Sequence, residues 1–261
     1  MGVKTSIKHS QIPKAYHAYP LIATKNGVSD SVYLLGECYV LKHFEHTHNK
    51  EIENEKRLLT QLKSLCVPQV VEQFQINGKE VVIYTQLKGE SPVEPTKEEV
   101  AQVGAFLKAL HKKTKGLKSS NNKLFETTKL QKNIDKLDYL PLKKHFSTLN
   151  ITLKNDGIIH GDLFIDNAKF EANKLSGVYD FIEACEGDFL FDLAVVAISW
   201  CFKNETLQEK HLEVLLKSYD THLSRSTLLP YMQYALLYYA TTRYIHKRNY
   251  VTLLKQYEGL K

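Results

Sequence analysis

The stretch IIHGDLFIDN, residues 158–167, decides how this chain is read. A short apolar run of the kind that forms a buried strand leads into His160, Gly161 and Asp162, and Asn167 follows five positions after Asp162. Asx residues in a turn often do no more than cap local backbone. An isolated D-x-x-x-x-N would fit that account. Here the motif sits in a longer order: strand, His-Gly-Asp, Asn, hairpin, and then a second carboxylate, Asp180, in SGVYDF. That order is much more specific.

It matches the needs of phosphoryl transfer. This chemistry asks for an oriented acceptor hydroxyl, held phosphates and offset charge, with little covalent help from the protein. Asp162 can orient the hydroxyl and accept its proton. The amide oxygen of Asn167 can meet one metal ion, and Asp180 can bridge the metals. ATP and Mg2+ are therefore the expected cofactors. His160 is expected to be structural, its ring bonding backbone and fixing the loop that carries Asp162. Asp192, in FDLA at the start of a very apolar helix, is expected to be a structural carboxylate as a helix cap, or through a bond to the catalytic loop.

The region ahead of this motif reads as a small sheet. SVYLLG and CYVLKHF are rich in β-formers and nearly adjacent, as in a hairpin. NKEIENEKRLLTQLKSL has helical spacing, with Ile52, Leu59 and Leu62 on one stripe and Pro68 beyond it as the stop. QVVEQFQ and KEVVIYTQL flank Asn77-Gly78, a strong two-residue hairpin signal. KGESPVEP then breaks the pattern. From Thr96 a capping box with Glu99 opens a helix carrying Val100, Val103, Leu107 and Leu110, and the remainder is mostly helical apart from short strands near 157–160, 168–171 and 176–181. The expected fold class is α+β with two lobes. Residues 1–88 form a small antiparallel-sheet N-lobe with one helix, and residues 89–261 a mostly helical C-lobe, with a hinge near 85–95.

In the N-lobe, Lys42 on a strand after a small-residue turn is the candidate phosphate-contacting lysine. Its expected partner is Glu55, which helical spacing puts on the inward stripe; Glu53 points away and Glu51 lies at the border. A carboxylate on that stripe needs a cation. The turn GVSDS makes Gly27, Ser29 and Ser31 a modest phosphate-loop candidate. Gln86 and Leu87 lie where the last strand reaches the hinge and are expected to meet the adenine.

HGDLFIDN followed by Asp180 resembles the aminoglycoside-phosphotransferase and choline-kinase group, relatives of protein kinases. Within that group, LFIDNAKFEANKLSGVYDFIEACEGDFLFDLAVVAISWCF resembles bacterial homoserine kinases of this fold, whose pattern runs HGDLFxDN, LSGxxDFxxAC, DLA and WCF. The close match covers residues 157–203. The resemblance implies a protein-kinase-like fold, Asp162 as catalytic base, Asn167 and Asp180 as magnesium ligands, and homoserine as the acceptor. Two positions depart from it. Lys42 stands where those kinases tend to have threonine, and Glu183 replaces an aromatic after Asp180.

The acceptor is expected to be a small alcohol. Homoserine carries an ammonium group, which Glu183, Glu186 and Asp188 could meet. A choline or ethanolamine acceptor would instead want aromatic rings, and an aminoglycoside many carboxylates. A non-catalytic nucleotide-binding protein on this fold would be expected to have lost Asp162, Asn167, Asp180 or Lys42, all of which are present.

The formal net charge of +6 is spread rather than blocked, so no nucleic-acid partner is expected. FLFDLAVVAISWCF, interrupted by Asp192, is too short to span a membrane. The cysteines at 38, 66, 185 and 201 form no C-x-x-C pair, as expected of reduced thiols in a cytoplasmic protein.

Overall fold

The computed structural model describes residues 3–25, 29–121 and 123–260. The chain divides into two compact units, Met1–Lys88 and Gly89–Lys261.

The first unit is built on an antiparallel sheet. Its strands are β1 (Leu21–Ala23), β2 (Ser31–Leu35), β3 (Tyr39–His43), β4 (Val70–Ile76) and β5 (Lys79–Thr85), in the order β1-β2-β3-β5-β4, with helix α1 (Asn49–Gln61) inserted between β3 and β4. Asn77 and Gly78 both take positive φ, 52° and 75°, which a tight two-residue turn between right-twisted strands requires. Strand alternation separates two faces. Leu35, Leu41, Val81 and Ile83 pack in one cluster with Ile7, Ile12 and Tyr16 from the N-terminal segment. No periodic pattern announced that segment. On the other face Lys42 lies opposite Val82 in register, and Tyr84 donates its hydroxyl to Glu55 of α1 at 2.7 Å. Helix α1 ends at Gln61, well before Pro68. A turn closed by Leu65 N–H on the Leu62 carbonyl at 2.8 Å takes over, so no proline is needed to stop it.

The second unit opens with α2 (Lys97–Thr114). Thr96 Oγ1 accepts from Glu99 N–H at 3.2 Å, while Thr96 N–H donates to the Glu99 carboxylate at 2.7 Å, the two halves of a capping box. There follow α3 (Thr127–Asp135), α4 (Leu140–Ser147), the short strands β6 (Gly157–Ile159), β7 (Ala168–Glu171), β8 (Lys174–Val178) and β9 (Cys185–Gly187), and α5 (Phe189–Trp200). A small hairpin, β10 (Phe202–Lys203) with β11 (Thr206–Leu207), leads to α6 (Glu209–Tyr219), α7 (Arg225–Ile245) and α8 (Val251–Gly259). Helix α2 packs on α6, and α5 on α7. At the first of these contacts a Cβ on Gly104 would stand 2.2 Å from Ser218 Oγ, so any larger residue would force that side chain to move. Helix α5 is buried almost throughout, which explains an apolar run broken only by Asp192 and Ser199. No helix among the described residues is long and apolar enough to cross a membrane.

Candidate active site

Strand β6 delivers the chain to a loop in which most backbone polar groups are tied down. Asp192, fully buried on α5, accepts from His160 N–H at 2.9 Å and Gly161 N–H at 2.8 Å. His111 of α2 donates from Nε2 to the same carboxylate at 2.9 Å. Burial by itself would raise the pKa of Asp192, but the bond and charge of His111 and the Gly161 N–H outweigh it and hold the pKa below the usual range. Asp192 is thus the floor of the loop. The cap of α5 is Asp188, which accepts from Leu190 N–H at 2.8 Å.

The ring of His160 is fully buried. Its Nε2 donates to the Tyr179 carbonyl at 3.0 Å, and its Nδ1 accepts from Asp162 N–H at 3.2 Å. These two bonds define a neutral ring with the proton on Nε2, and burial lowers its pKa in keeping with that. Gly161 has φ +79°, and a Cβ there would lie 2.6 Å from the ring of Phe125. Its carbonyl accepts from the Tyr239 hydroxyl. Ser199 Oγ accepts from Ile165 N–H at 3.0 Å, and Trp200 Nε1 donates to the Leu163 carbonyl at 3.1 Å. The loop is fixed from beneath at both of its ends.

The polar groups on this loop come together. Asn167 Nδ2 donates to the Asp162 carbonyl at 2.7 Å and to Asp162 Oδ2 at 3.1 Å. With its nitrogen committed there, its oxygen is the atom left for a metal. The β7–β8 hairpin brings the chain back, and Tyr179 N–H donates to the Asn167 carbonyl at 3.0 Å. Asp180 comes next with φ +66°, a left-handed conformation uncommon outside glycine. That conformation ends the extended run at Val178, short of the expected 181.

Burial pushes the pKa of Asp162 up to about 8, and the charges of Glu183, Asp180 and Asp166 add to it, against the opposing hydrogen bond from Asn167. The site therefore concentrates negative charge. Among the described residues no three His, Cys, Asp or Glu side chains form a metal cage of their own. One carboxylate and one amide oxygen do suit magnesium, which takes few protein ligands and completes its shell with phosphates and water.

The three expected acceptor-binding acids separate. Glu183 is exposed and close enough to act on Asp162. Glu186 is engaged elsewhere: Asn155 Nδ2 donates to it at 2.8 Å, Lys118 Nζ at 3.2 Å and Ser119 N–H at 3.2 Å. Asp188 is buried, caps α5 and accepts from Lys154 N–H at 2.7 Å. These bonds give Glu186 and Asp188 structural work and leave Glu183 as the acid beside Asp162.

Residues 21–221 match the family described as Phosphotransferase enzyme family. The chain belongs to it. This phosphotransferase is 25% identical to a homoserine kinase of Methylobacillus flagellatus, over 84% of this chain and 77% of that protein. It is 26% identical to a homoserine kinase of Zymomonas mobilis, over 93% of this chain and 88% of that protein. The family and these relatives make it an ATP-dependent kinase. Its fold is shared with aminoglycoside 2'-phosphotransferase-IIIa, solved as a GDP complex, at TM-score 0.65 and 17% identity over 92% of this chain and 91% of that one. A choline/ethanolamine kinase family protein from Mesorhizobium loti has the same fold, at TM-score 0.64 and 14% identity over 92% and 86% of the two chains.

In the first unit of the phosphotransferase, Glu55 is buried, Glu53 exposed and Glu51 between them, as the helical spacing of α1 requires. Lys42 Nζ lies 3.4 Å from Asp30 Oδ2, a partner the sequence did not single out. Ser31 is fully buried: its hydroxyl donates to Glu45 at 2.6 Å and accepts from Lys4 and Thr5 N–H, each at 2.9 Å. Its hydroxyl is thereby fully engaged within the fold, which leaves backbone N–H groups as the donors this turn could offer a phosphate. Ser29 is exposed and its carbonyl accepts from Lys4 Nζ, while Gly27 lies outside the described residues. Gln86 N–H donates to the Cys38 carbonyl at 2.8 Å, and its Oε1 is buried without a partner among the described residues. Sequence reasoning overlooked Ser199 and Arg243. For Arg243 the available signal was its i, i+4 spacing from Tyr239 on one helix face.

Proposed function

We propose that this kinase transfers the γ-phosphoryl group of ATP to the hydroxyl of homoserine. The observation that carries the reading is the loop itself: Asp162 held through Asn167 and His160, over a floor made by Asp192. The relatives named as homoserine kinases supply the acceptor.

Asp162 orients the acceptor hydroxyl and takes its proton as the oxygen bonds to phosphorus and the bond to the ADP oxygen breaks. The Asn167 amide oxygen and the Asp180 carboxylate would hold magnesium, whose charge offsets the crowding of Asp162, Asp166, Asp180 and Glu183. In the first unit Lys42, balanced by Asp30 and Glu55, would contact phosphate oxygens, the backbone at Ser29 would approach them, and Gln86 and Leu87 would meet the adenine. Glu183 would receive the acceptor ammonium. His160 and Asp192 stay structural.

The test is ADP release with Mg-ATP over homoserine, choline, ethanolamine, serine, threonine and an aminoglycoside. Strong turnover with homoserine alone is expected. Preference for any other acceptor sinks the homoserine assignment and leaves the kinase class standing.

A further inference from the structure

Helix α7 puts an arginine beside the catalytic loop. Tyr239 donates its hydroxyl to the Gly161 carbonyl, and its ring meets that of Phe164 edge-on at 4.8 Å. Arg243 lies one turn further along the same face. Its guanidinium carbon stands 5.9 Å from the centre of the same Phe164 ring. Phe164 is part of the turn between Asp162 and Asn167, donating N–H to the Asp162 carbonyl at 2.8 Å. The cation is therefore placed against the segment that carries the proposed base.

A guanidinium has five N–H donors. Among the described residues Arg243 uses them sparingly: Nη1 donates to the Asn249 carbonyl at 3.4 Å, and no carboxylate lies within ion-pair distance. Asp162 and Asp166 are near enough to favour its charge, although burial works against it. A partly buried arginine with most of its fork uncommitted is the group that receives a planar anion through paired hydrogen bonds. Homoserine carries its carboxylate a short chain away from its hydroxyl. With that hydroxyl at Asp162, the carboxylate calls for a nearby cation, and Arg243, stacked by Phe164 and favoured by the charge of Asp162, is placed to be one.

We propose that Arg243 binds the acceptor carboxylate and sets the preference for an anionic alcohol, an inference that rests on the homoserine assignment above. With Glu183 as the ammonium partner, the site would grip both ends of an α-amino acid around the reacting oxygen.

The experiment compares kcat/KM for homoserine and for 3-aminopropan-1-ol, which lacks only the carboxylate, in the wild type, Arg243→Ala and Arg243→Lys. Arg243→Ala should lose on the order of 100-fold with homoserine. Its loss with the amino alcohol should be at least about ten times smaller, since that acceptor has no carboxylate for the fork to hold. Arg243→Lys should recover part of the homoserine activity, because a point charge replaces a fork. Its intact charge and length also keep the test alive if the alanine variant melts early. Equal losses with both acceptors would mean that Arg243 serves the transferred phosphate or the fold, and would overturn the inference. Homoserine turnover indifferent to Arg243→Ala would overturn it and spare the acceptor assignment. A wild type inactive on homoserine but active on another alcohol would overturn both.

Discussion

Asp162 and Asp192 belong to one small region, and their surroundings are opposite. Asp192 sits fully buried among donors, two backbone N–H groups and His111, which hold its pKa down. Asp162 sits half-buried among acids, with a single amide against them, and its pKa stands near 8. The first arrangement is what stability asks of a buried carboxylate. The second is costly to the fold and is the pattern that marks functional sites. The two carboxylates are thus held in opposite ways, with Asp192 as the floor that fixes the backbone of the loop carrying Asp162.

Substitutions can break this contrast. The largest effect is expected for Asp162→Asn, which should reduce turnover about 10²–10⁴-fold while ATP binding stays close to wild type; a stopped assay with parallel nucleotide titration measures both. A loss of ATP affinity with chemistry intact would contradict the assigned role. Asp192→Asn should cost about 3 kcal/mol of stability, because two N–H groups and His111 would face an amide in place of a charge. Urea unfolding would show it, and a cost below about 0.5 kcal/mol would mean that Asp192 does not hold the loop.

The same Asp162→Asn protein should be more stable than wild type at neutral pH. The sign follows from linkage. An unfolded Asp162 releases its proton near pH 3.8, whereas the folded one keeps it to about pH 8. Across that window the native state binds more protons, so wild-type stability falls as pH rises. The variant escapes this. Its advantage should be absent below pH 3.8 and approach about 2–4 kcal/mol by pH 8 without magnesium. Thermal melts at several pH values test it, and a pH-independent difference would exclude titration of Asp162 as the cause. The smallest effect is expected for Glu186→Gln. Turnover should stay within about 2-fold and stability should drop by under about 1 kcal/mol, as for a partly exposed pairing. A large rise in the homoserine KM would return Glu186 to the acceptor site.

Much of this was legible in the primary structure wherever the determining interactions are local. Asn77-Gly78 specifies its own hairpin, Thr96 and Glu99 cap their own helix, and alternation along β5 separates Val82 and Tyr84 from Val81 and Ile83. The same locality made the order from His160 to Asp180 readable as phosphotransfer chemistry, since a loop and the hairpin after it need few other parts. Acidic residues close in sequence were harder to sort. Glu183, Glu186 and Asp188 are near neighbours along the chain, yet one is exposed beside Asp162, one ties down residues 118, 119 and 155, and one caps α5. The hydroxyl of Ser31 is likewise taken up by Glu45, Lys4 and Thr5, partners that no local pattern announces.

The sequence by itself determined the two-part α+β organisation, the helix and hairpin boundaries with chemical signals, and the class of reaction. Only the tertiary structure decided what surrounds each charge. His111 meets Asp192 because α2 packs on α5, and Arg243 meets Phe164 because α7 lies along the same helix. Backbone geometry propagates over a few residues and can be read from them. A pKa or a binding preference depends on burial and on charges within a few ångströms, and those neighbours are set by how distant helices pack.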